Sequence, residues 1–192
     1  MPNWCDTTYR CVGDKKEVRA LKKVLDANNK RKTSRVKNGF GTMWIGNIID
    51  QLGYNWHEFQ CRGEIYDYQM EGNDLMIYQN TAWTEAEGFR EVIQKKFPSI
   101  DVFYRLEEPG CEVFCTNSFD HFPDQYYLDS YDDPMYFETL KECHDYIVSL
   151  VGHDVDMDFD ALDAAVTAYQ EQQEEKGEDC FYSLHEFQLI TD

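Results

Sequence analysis

The sequence predicts an α+β fold, on two observations. Hydrophobic residues alternate at strand spacing in some segments and recur at helical spacing in others. The chain has 192 residues, of which 42% are hydrophobic and 15% aromatic. That length suits one domain with a substantial appendage, and the apolar content is enough to bury a core despite the high charge. We therefore expect a folded protein of mixed secondary structure.

The first 117 residues alternate between strand and helix patterns. Strands are predicted over residues 3–12, 62–70, 74–83, 100–107 and 111–117. Helices are predicted over residues 14–29, 44–52 and 85–97, the last with Thr84 as its cap. Without the short second helix and the last strand, the order is β-α-β-β-α-β. This is the order of a ferredoxin-like sheet, here with one added strand and an inserted basic loop and short helix over residues 30–60.

Residues 118–192 are predicted to form a second domain, an acidic α/β extension packed on the first. It is expected to contain a strand over 125–130 and a closing strand over 180–190. Between them lie two amphipathic helices, with apolar stripes that start at Phe137 and Phe159. The charged run over 171–179 is expected to fray the second helix.

Charge is distributed unevenly along the chain. The net charge is −19, but residues 1–40 carry +7 and residues 118–192 carry −18. An acidic body disfavours nucleic acid as a partner. The C-terminal charge has two interpretations: a solvated face, or a surface for a basic protein partner. Such a partner would be, for example, the nucleic-acid-binding protein of a host.

The seven cysteines are spread along the chain with no CxxC pair. Together with the lack of an export signal or a long apolar run, this predicts a cytoplasmic protein with reduced thiols and no membrane span.

Motifs for metal binding and catalysis are sparse. Asp154, Asp156, Asp158 and Asp160 alternate, but a calcium loop starting at Asp154 would need Gly and Glu where the chain has Phe159 and Ala165. The acidic residues therefore predict a helix N-terminus. No GxSxG, Walker A or HExxH motif occurs. We expect no metal or cofactor and favour a non-enzymatic protein.

Two groups of residues are candidates for binding. One would line a pocket between the sheet and the C-terminal extension, with aromatic stacking surfaces and one cation: Trp44, Trp83, Tyr104 and Arg62. The other is a basic loop suited to phosphate groups, formed by Lys30, Arg31, Lys32 and Arg35. The alternatives to protein–protein contact are therefore a small-ligand binder or enzyme, and nucleic-acid binding through residues 30–37.

Several short segments resemble the YubB-like family of plasmid- and phage-borne proteins. They are Met1-Pro2-Asn3-Trp4-Cys5, residues 44–47 with 52–53, residues 61–65, residues 81–83 and residues 107–110. The likeness covers roughly residues 1–117, although the family usually has Asn where this chain has Thr7. The resemblance implies a ferredoxin-like fold and a mobile-element setting. It implies no catalytic residues.

Overall fold

A computed structural model describes residues 3–37, 39–131 and 134–191. It confirms an α+β fold. The chain divides into two compact units, residues 1–113 and residues 114–192. None of the described helices is long and apolar enough to cross a bilayer.

The first unit alternates strands with helices in the predicted succession. Its strands are β1 (Trp4–Val12), β2 (Gly63–Glu71), β3 (Asp74–Ala82) and β4 (Asp101–Glu108). Its α-helices are α1 (Lys15–Asn29), α2 (Ile45–Leu52) and α3 (Glu87–Lys96), and short 3-10 turns cover Trp56–Glu58 and Pro109–Cys111. The strands lie in the order β2-β3-β1-β4, and every neighbouring pair is antiparallel.

The core of the first unit lies on one face of this sheet. Alternate residues of the central strand β1 are buried, including Cys5, Tyr9 and Cys11, because successive side chains of a strand point to opposite faces. Three residues of the apolar stripe of α1 are fully buried, namely Val18, Leu21 and Leu25. The buried face of β1 and the apolar stripe of α1 thus form the two sides of one core, and both are visible in the sequence as periodic hydrophobic residues.

The edge strand β2 is partly covered at its start. The backbone N–H of Ile65 donates to the carbonyl of Met43 at 3.0 Å, and Trp44 forms an isolated antiparallel bridge with Glu64. Further along, the pairing of β2 with β3 shifts register between Ile65 and Asp67. The segment that leads into α2 therefore occupies part of the open edge of β2.

The second unit contains short strands and two longer helices. The strands are β5 (Val113–Thr116), which begins at the unit boundary, β6 (Tyr126–Ser130), β7 (Met135–Phe137), β8 (Tyr182–Glu186) and β9 (Gln188–Leu189). The helices are α4 (Leu140–Val151) and α5 (Phe159–Glu175). Strands β7, β6 and β8 form an antiparallel sheet in that order, and β5 pairs with β9 in parallel. A buried cluster that includes Leu128, Ile147 and Leu162 holds the sheet and helices together.

Four details of the predicted elements were wrong. Phe137 belongs to β7 rather than to the helix that follows. Helix α5 continues to Glu175, through part of the charged run expected to fray it. The predicted closing strand is two strands, β8 and β9, in different sheets. Ala86, not Thr84, precedes α3.

Candidate functional site

A groove lined mainly by aromatic rings opens in the first unit. Its volume is about 770 Å³. Six rings line it, those of Trp4, Phe40, Trp44, Trp56, His57 and Phe59. They come from β1, the loop before α2, the N-cap of α2 and the segment after α2, so the fold brings together aromatic residues that are far apart in sequence.

Trp44 is a rigid part of the groove lining. Its side chain is only 6% exposed, and its Nε1 donates a hydrogen bond to the carbonyl of Cys61 at 2.6 Å. A Cβ atom placed on Gly46 would lie 2.2 Å from the Trp44 ring. The ring therefore lies across Gly46, and the close approach requires a residue without a side chain there.

Other rings pack directly on Trp44. Phe40 stacks on it with ring centroids 5.1 Å apart and planes 22° from parallel, while Trp56 meets it edge-on at 5.1 Å. His57 stacks on Trp56 at 3.6 Å. Trp4 and Phe40 remain 55% and 58% exposed. The groove thus combines a buried, fixed indole with two rings that offer open surface to a ligand.

Arg62 and Glu64 supply opposite charges to the groove lining. Both are exposed and lie two residues apart. The backbone there is extended, because Ala82 N donates to the carbonyl of Arg62 at 2.9 Å and the β2–β3 ladder continues at Gly63. Neither side chain forms an ion pair or hydrogen bond with another described residue. A donor fork and a carboxylate are therefore both available to a ligand.

Cys61 also lines the groove, and its thiol is chemically quiet. Burial raises the pKa of Cys61 to about 11, so the thiol stays protonated at neutral pH. Its Sγ lies 3.4 Å from the carbonyl oxygens of Trp56 and Phe59, to which it donates. A protonated thiol is a poor nucleophile, which makes Cys61 a structural residue of the groove.

The basic loop folds back against the groove through Asn47. The Asn47 side chain is fully buried; its Nδ2 donates to Ser34 Oγ at 3.0 Å and to the Gly41 carbonyl at 2.7 Å. Its Oδ1 accepts from Val36 N at 2.9 Å, and Ser34 Oγ donates to the Phe40 carbonyl at 2.6 Å. The loop therefore turns back on itself, and Ser34 and Val36 are held close to the segment Phe40–Gly41.

Cations of this loop remain accessible. Arg35 pairs with Asp50 of α2, with Nε and Oδ2 2.8 Å apart. Lys30, Arg31 and Lys32 are exposed and form no ion pair with the described residues. Arg31 Nε donates to the Thr33 carbonyl at 3.2 Å. Of the four predicted loop residues, only Arg35 therefore has a carboxylate as an ion-pair partner among the described residues.

The structure brings together two of the four residues predicted to form a pocket. Trp44 and Arg62 both line the groove. Trp83 is 53% exposed, with φ of 74°, and is not part of the lining. Tyr104 is buried on β4, with the Arg90 guanidinium 5.6 Å above its ring. The lining belongs entirely to the first unit, so this groove is not the pocket predicted between the sheet and the C-terminal extension.

Nine of the eleven lining residues were not predicted from the sequence, among them Trp4, Phe40, Trp56 and Glu64. Trp4 belongs to the strand predicted over residues 3–12, and Phe40 lies in the loop and short-helix segment predicted over residues 30–60. An aromatic residue in a polar loop, without helical or strand periodicity around it, is the signal that distinguishes Phe40.

Other polar residues of the two units have structural roles. Arg105 pairs with Glu107 at 2.9 Å. Asp158 caps α5 by accepting a hydrogen bond from Ala161 N at 3.1 Å, in agreement with the predicted helix N-terminus. His144 Nε2 lies 2.9 Å from the Val155 carbonyl. Among the described residues, no group of three or more His, Cys, Asp or Glu side chains could hold a metal ion.

A buried ionic cluster joins β1 to α3. Glu85 is 7% exposed; it accepts a hydrogen bond from Tyr9 OH and pairs with Arg90 Nε at 3.1 Å. Desolvation raises the pKa of Glu85, although the hydrogen bond from Tyr9 and the charge of Arg90 oppose the shift. The cluster lies among core residues and is not part of the groove lining.

No family model, curated protein or solved structure matches this chain. The geometry of the groove and the distribution of charge are therefore the basis for a functional assignment.

Proposed function

We propose that the protein is a non-enzymatic binding protein whose first unit holds a planar ring compound in the aromatic groove. The observation that carries this proposal is the convergence of Trp4, Phe40, Trp44 and Trp56 on one groove of about 770 Å³. Small-molecule sites typically have this order of volume, a mainly apolar lining and a few polar groups that orient the ligand.

The fixed position of Trp44 and the exposure of Trp4 and Phe40 support stacking as the mode of binding. Trp44 is held by the Cys61 carbonyl and by the close approach of Gly46, so it loses little freedom when a ligand arrives. Trp4 and Phe40 are more than half exposed. A planar ligand that covers them gains aromatic contacts and removes apolar surface from water.

Ligand-observed NMR on the full chain tests this function with a matched pair of compounds. We expect benzamide to bind and cyclohexanecarboxamide, which has no planar ring, to bind more weakly. Trp4→Ala should weaken benzamide binding by about two- to tenfold, the usual worth of one aromatic contact.

Trp83→Ala is the matched control, because Trp83 is 53% exposed against 55% for Trp4 and lies outside the groove lining. It should leave the affinity unchanged. Equal affinity for both compounds, or equal losses in both variants, would contradict the proposed function.

A second candidate function is protein–protein contact through the acidic second unit, against a basic surface such as that of a nucleic-acid-binding host protein. The observation that favours it is the exposure of the carboxylates in the C-terminal part of α5 and beyond. The exposed carboxylates there are Glu171, Glu174, Glu175, Glu178 and Asp179. They form no ion pair with the described residues, so their charge is available to a basic partner.

We also propose that the first unit is a ferredoxin-like domain of the YubB-like kind, carried by a mobile element. The strand order β2-β3-β1-β4 with antiparallel neighbours supports this proposal, because a β-α-β-β-α-β chain in that fold places its first and third strands at the centre. The insertion between α1 and β2 supplies most of the groove's rings, from the segments before and after α2.

A further inference from the structure

We propose that the groove recognises a guanine base that carries a phosphate group, as a free nucleotide or as one unit of a single-stranded nucleic acid. This inference rests on the ring-binding function proposed above and names its ligand class. Three independent features of the site support it: the exposed rings, the cations beside them and the single carboxylate of the lining.

The exposed rings provide the stacking surface. Nucleobases stack on aromatic side chains, and each stacked base contributes substantially to binding whatever its sequence. Trp4 and Phe40 offer more than half of their surface to solvent, and the Phe40 ring is held parallel to Trp44 beneath it. A base that covers Phe40 would extend an existing stack.

The cations provide the phosphate site. Arg62 lines the groove and has no carboxylate partner among the described residues. Its planar fork matches two phosphate oxygens. Ser34 Oγ also donates to the Phe40 carbonyl, so the loop that carries Lys30, Arg31 and Lys32 is joined to the segment that carries the Phe40 ring. Positive charge around a stacking surface favours a ring that carries phosphate over a neutral ring.

Glu64 provides base selection. A carboxylate only accepts hydrogen bonds, and it can accept two at once. Guanine is the common base whose pairing edge presents two adjacent donors, the N1–H and the exocyclic amino group. The pairing edge of adenine or cytosine places its amino group next to an acceptor, and uracil has one N–H between two carbonyls. Glu64 lines the groove with its carboxylate unpaired within the described chain, so it can hold the guanine edge.

The same rings and carboxylate suggest a methylated ammonium ion as the competing ligand, since such cations bind in aromatic cages. Arg62 argues against it, because this cation of the lining repels a positive ligand at the groove. The two ligands differ in charge, so a direct comparison separates them.

Titrations of the full chain with GMP, guanosine, UMP and tetramethylammonium test the inference, with tryptophan fluorescence as the readout. Three of the four tryptophans line the groove. We expect GMP to bind about fivefold or more tighter than guanosine, because of the charge-assisted contacts to phosphate. We expect it to bind about tenfold tighter than UMP, because of the paired donors.

Two substitutions assign these preferences to residues. Arg62→Gln should remove most of the advantage of GMP over guanosine and leave the preference for guanine. Glu64→Gln should remove the preference for GMP over UMP and leave the contribution of the phosphate. Trp83→Ala should change neither preference. Such a split does not arise from a variant that is merely unfolded, because an unfolded protein loses both preferences together.

A guanine-containing hexanucleotide separates the two sources of the ligand. If the loop follows a nucleic-acid strand, the hexanucleotide binds tighter than GMP. The triple change of Lys30, Arg31 and Lys32 to Gln then lowers that extra affinity and its dependence on salt. Equal affinities would identify the free nucleotide as the ligand. Either result supports recognition of a guanine–phosphate unit.

Three results would overturn the inference. If planar rings bind but GMP binds no better than guanosine and UMP, the proposed ligand class is wrong and the ring-binding function stands. Tighter binding of tetramethylammonium than of GMP would assign the groove to cations. If no planar ring binds, benzamide included, both the proposed function and the inference are wrong.

Discussion

Gly46 determines the shape of the groove more directly than any residue that touches a ligand. It is fully enclosed within the first turn of α2, and the Trp44 ring occupies the position of a side chain there, 2.2 Å from an added Cβ. Because Trp44 is buried and hydrogen-bonded to the Cys61 carbonyl, it can yield only by breaking that bond. The packing of the Trp44 ring therefore requires glycine at position 46.

We predict that Gly46→Ala destabilises the protein by about 1–2 kcal/mol. Overpacking costs about 1–3 kcal/mol, and the better helix propensity of Ala recovers up to about 1 kcal/mol. The variant should also show shifted tryptophan emission and weaker ring binding. Urea denaturation followed by fluorescence measures both the stability and the shift.

Gly41→Ala is the matched control for this change. Gly41 lies in the same loop-to-helix segment, but an added Cβ meets nothing within 4 Å and its φ is not positive. Its stability should stay within about 0.5 kcal/mol of wild type. If the two variants were equally stable, the close packing of Trp44 on Gly46 would not matter energetically.

At the level of single residues, the sequence singled out Trp44 and Arg62, which both line the groove, but for a pocket between the sheet and the C-terminal extension, and it did not single out their neighbours. Both stood out by residue type, as a tryptophan and as a lone cation in an acidic region. Tyr104 looked equivalent and is buried on β4, because the face of a strand residue depends on register. Glu64 was missed because one carboxylate among 37 acidic residues carries no signal until the fold places it beside aromatic rings.

At the level of elements, a hydrogen-bonded clamp holds α1 to the segment before β4. Glu17 lies in the first turn of α1, and its Oε2 accepts from Ser99 N at 2.9 Å and from Ser99 Oγ at 2.7 Å. The Ser99 carbonyl would lie 2.3 Å from a Cβ on Gly13. The turn between β1 and α1 is therefore packed closely against residues 99–100.

We predict that Glu17→Gln reduces stability in a pH-dependent way. The two hydrogen bonds from Ser99 lower the pKa of Glu17, so the folded state binds its proton less tightly than the unfolded state. The Glu17 contribution is therefore present above the ordinary carboxyl pKa of about 4.3. It is lost as the pH falls through the lowered value.

Urea denaturation between pH 7 and pH 2.5 should therefore show a difference between wild type and Glu17→Gln that shrinks in acid. Glu87→Gln is the control, because Glu87 also lies in the first turn of its helix, α3, and has no side-chain hydrogen bond to the described residues. Its effect should be smaller. A Glu17 effect that stayed constant down to pH 2.5 would exclude the clamp as its source.

The sequence predicted most elements well but missed the shortest strands, β7 and β9. Periodicity over eight or more residues identified α1, α2 and β1 to within a residue or two, since each pattern extends over more than one turn or several alternations. Strand β7 has three residues, too few to show a period. Its Phe137 was therefore assigned to the apolar stripe of the following helix.

At the level of the whole molecule, charge is segregated along the chain. The basic loop lies in the first unit, whereas exposed carboxylates cluster between Asp154 and Asp179 in the second. Residues 118–192 contain only two cations, Lys141 and Lys176. Few of the carboxylates in that region can therefore pair with a cation of the same region. The chain thus carries a basic loop in its first unit and an acidic surface in its second.

We predict that the acidic second unit retains basic proteins from a bacterial lysate. Retention should be lost at about 0.5 M salt, where the Debye length falls to about 4 Å, and duplex DNA should compete for the same proteins. Changing Glu171, Glu174, Glu175 and Glu178 to Gln should weaken retention.

The control for that experiment removes the same charge from the first unit, by changing the exposed residues Glu71, Glu87, Asp101 and Glu112 to their amides. It should retain the basic proteins as well as wild type does. Equal losses in the two variants would mean that net charge alone governs retention and that the second unit holds no specific surface.

The bridge between Trp44 and Glu64 has a consequence for solubility. Strand β2 is an edge of the first-unit sheet, and an uncovered edge is a template for pairing with another chain. The segment at Met43 and Trp44 occupies the start of that edge, and the same tryptophan lines the groove. Loosening Trp44 would therefore also free backbone groups for intermolecular pairing, so protection from aggregation and the shape of the groove depend on one side chain.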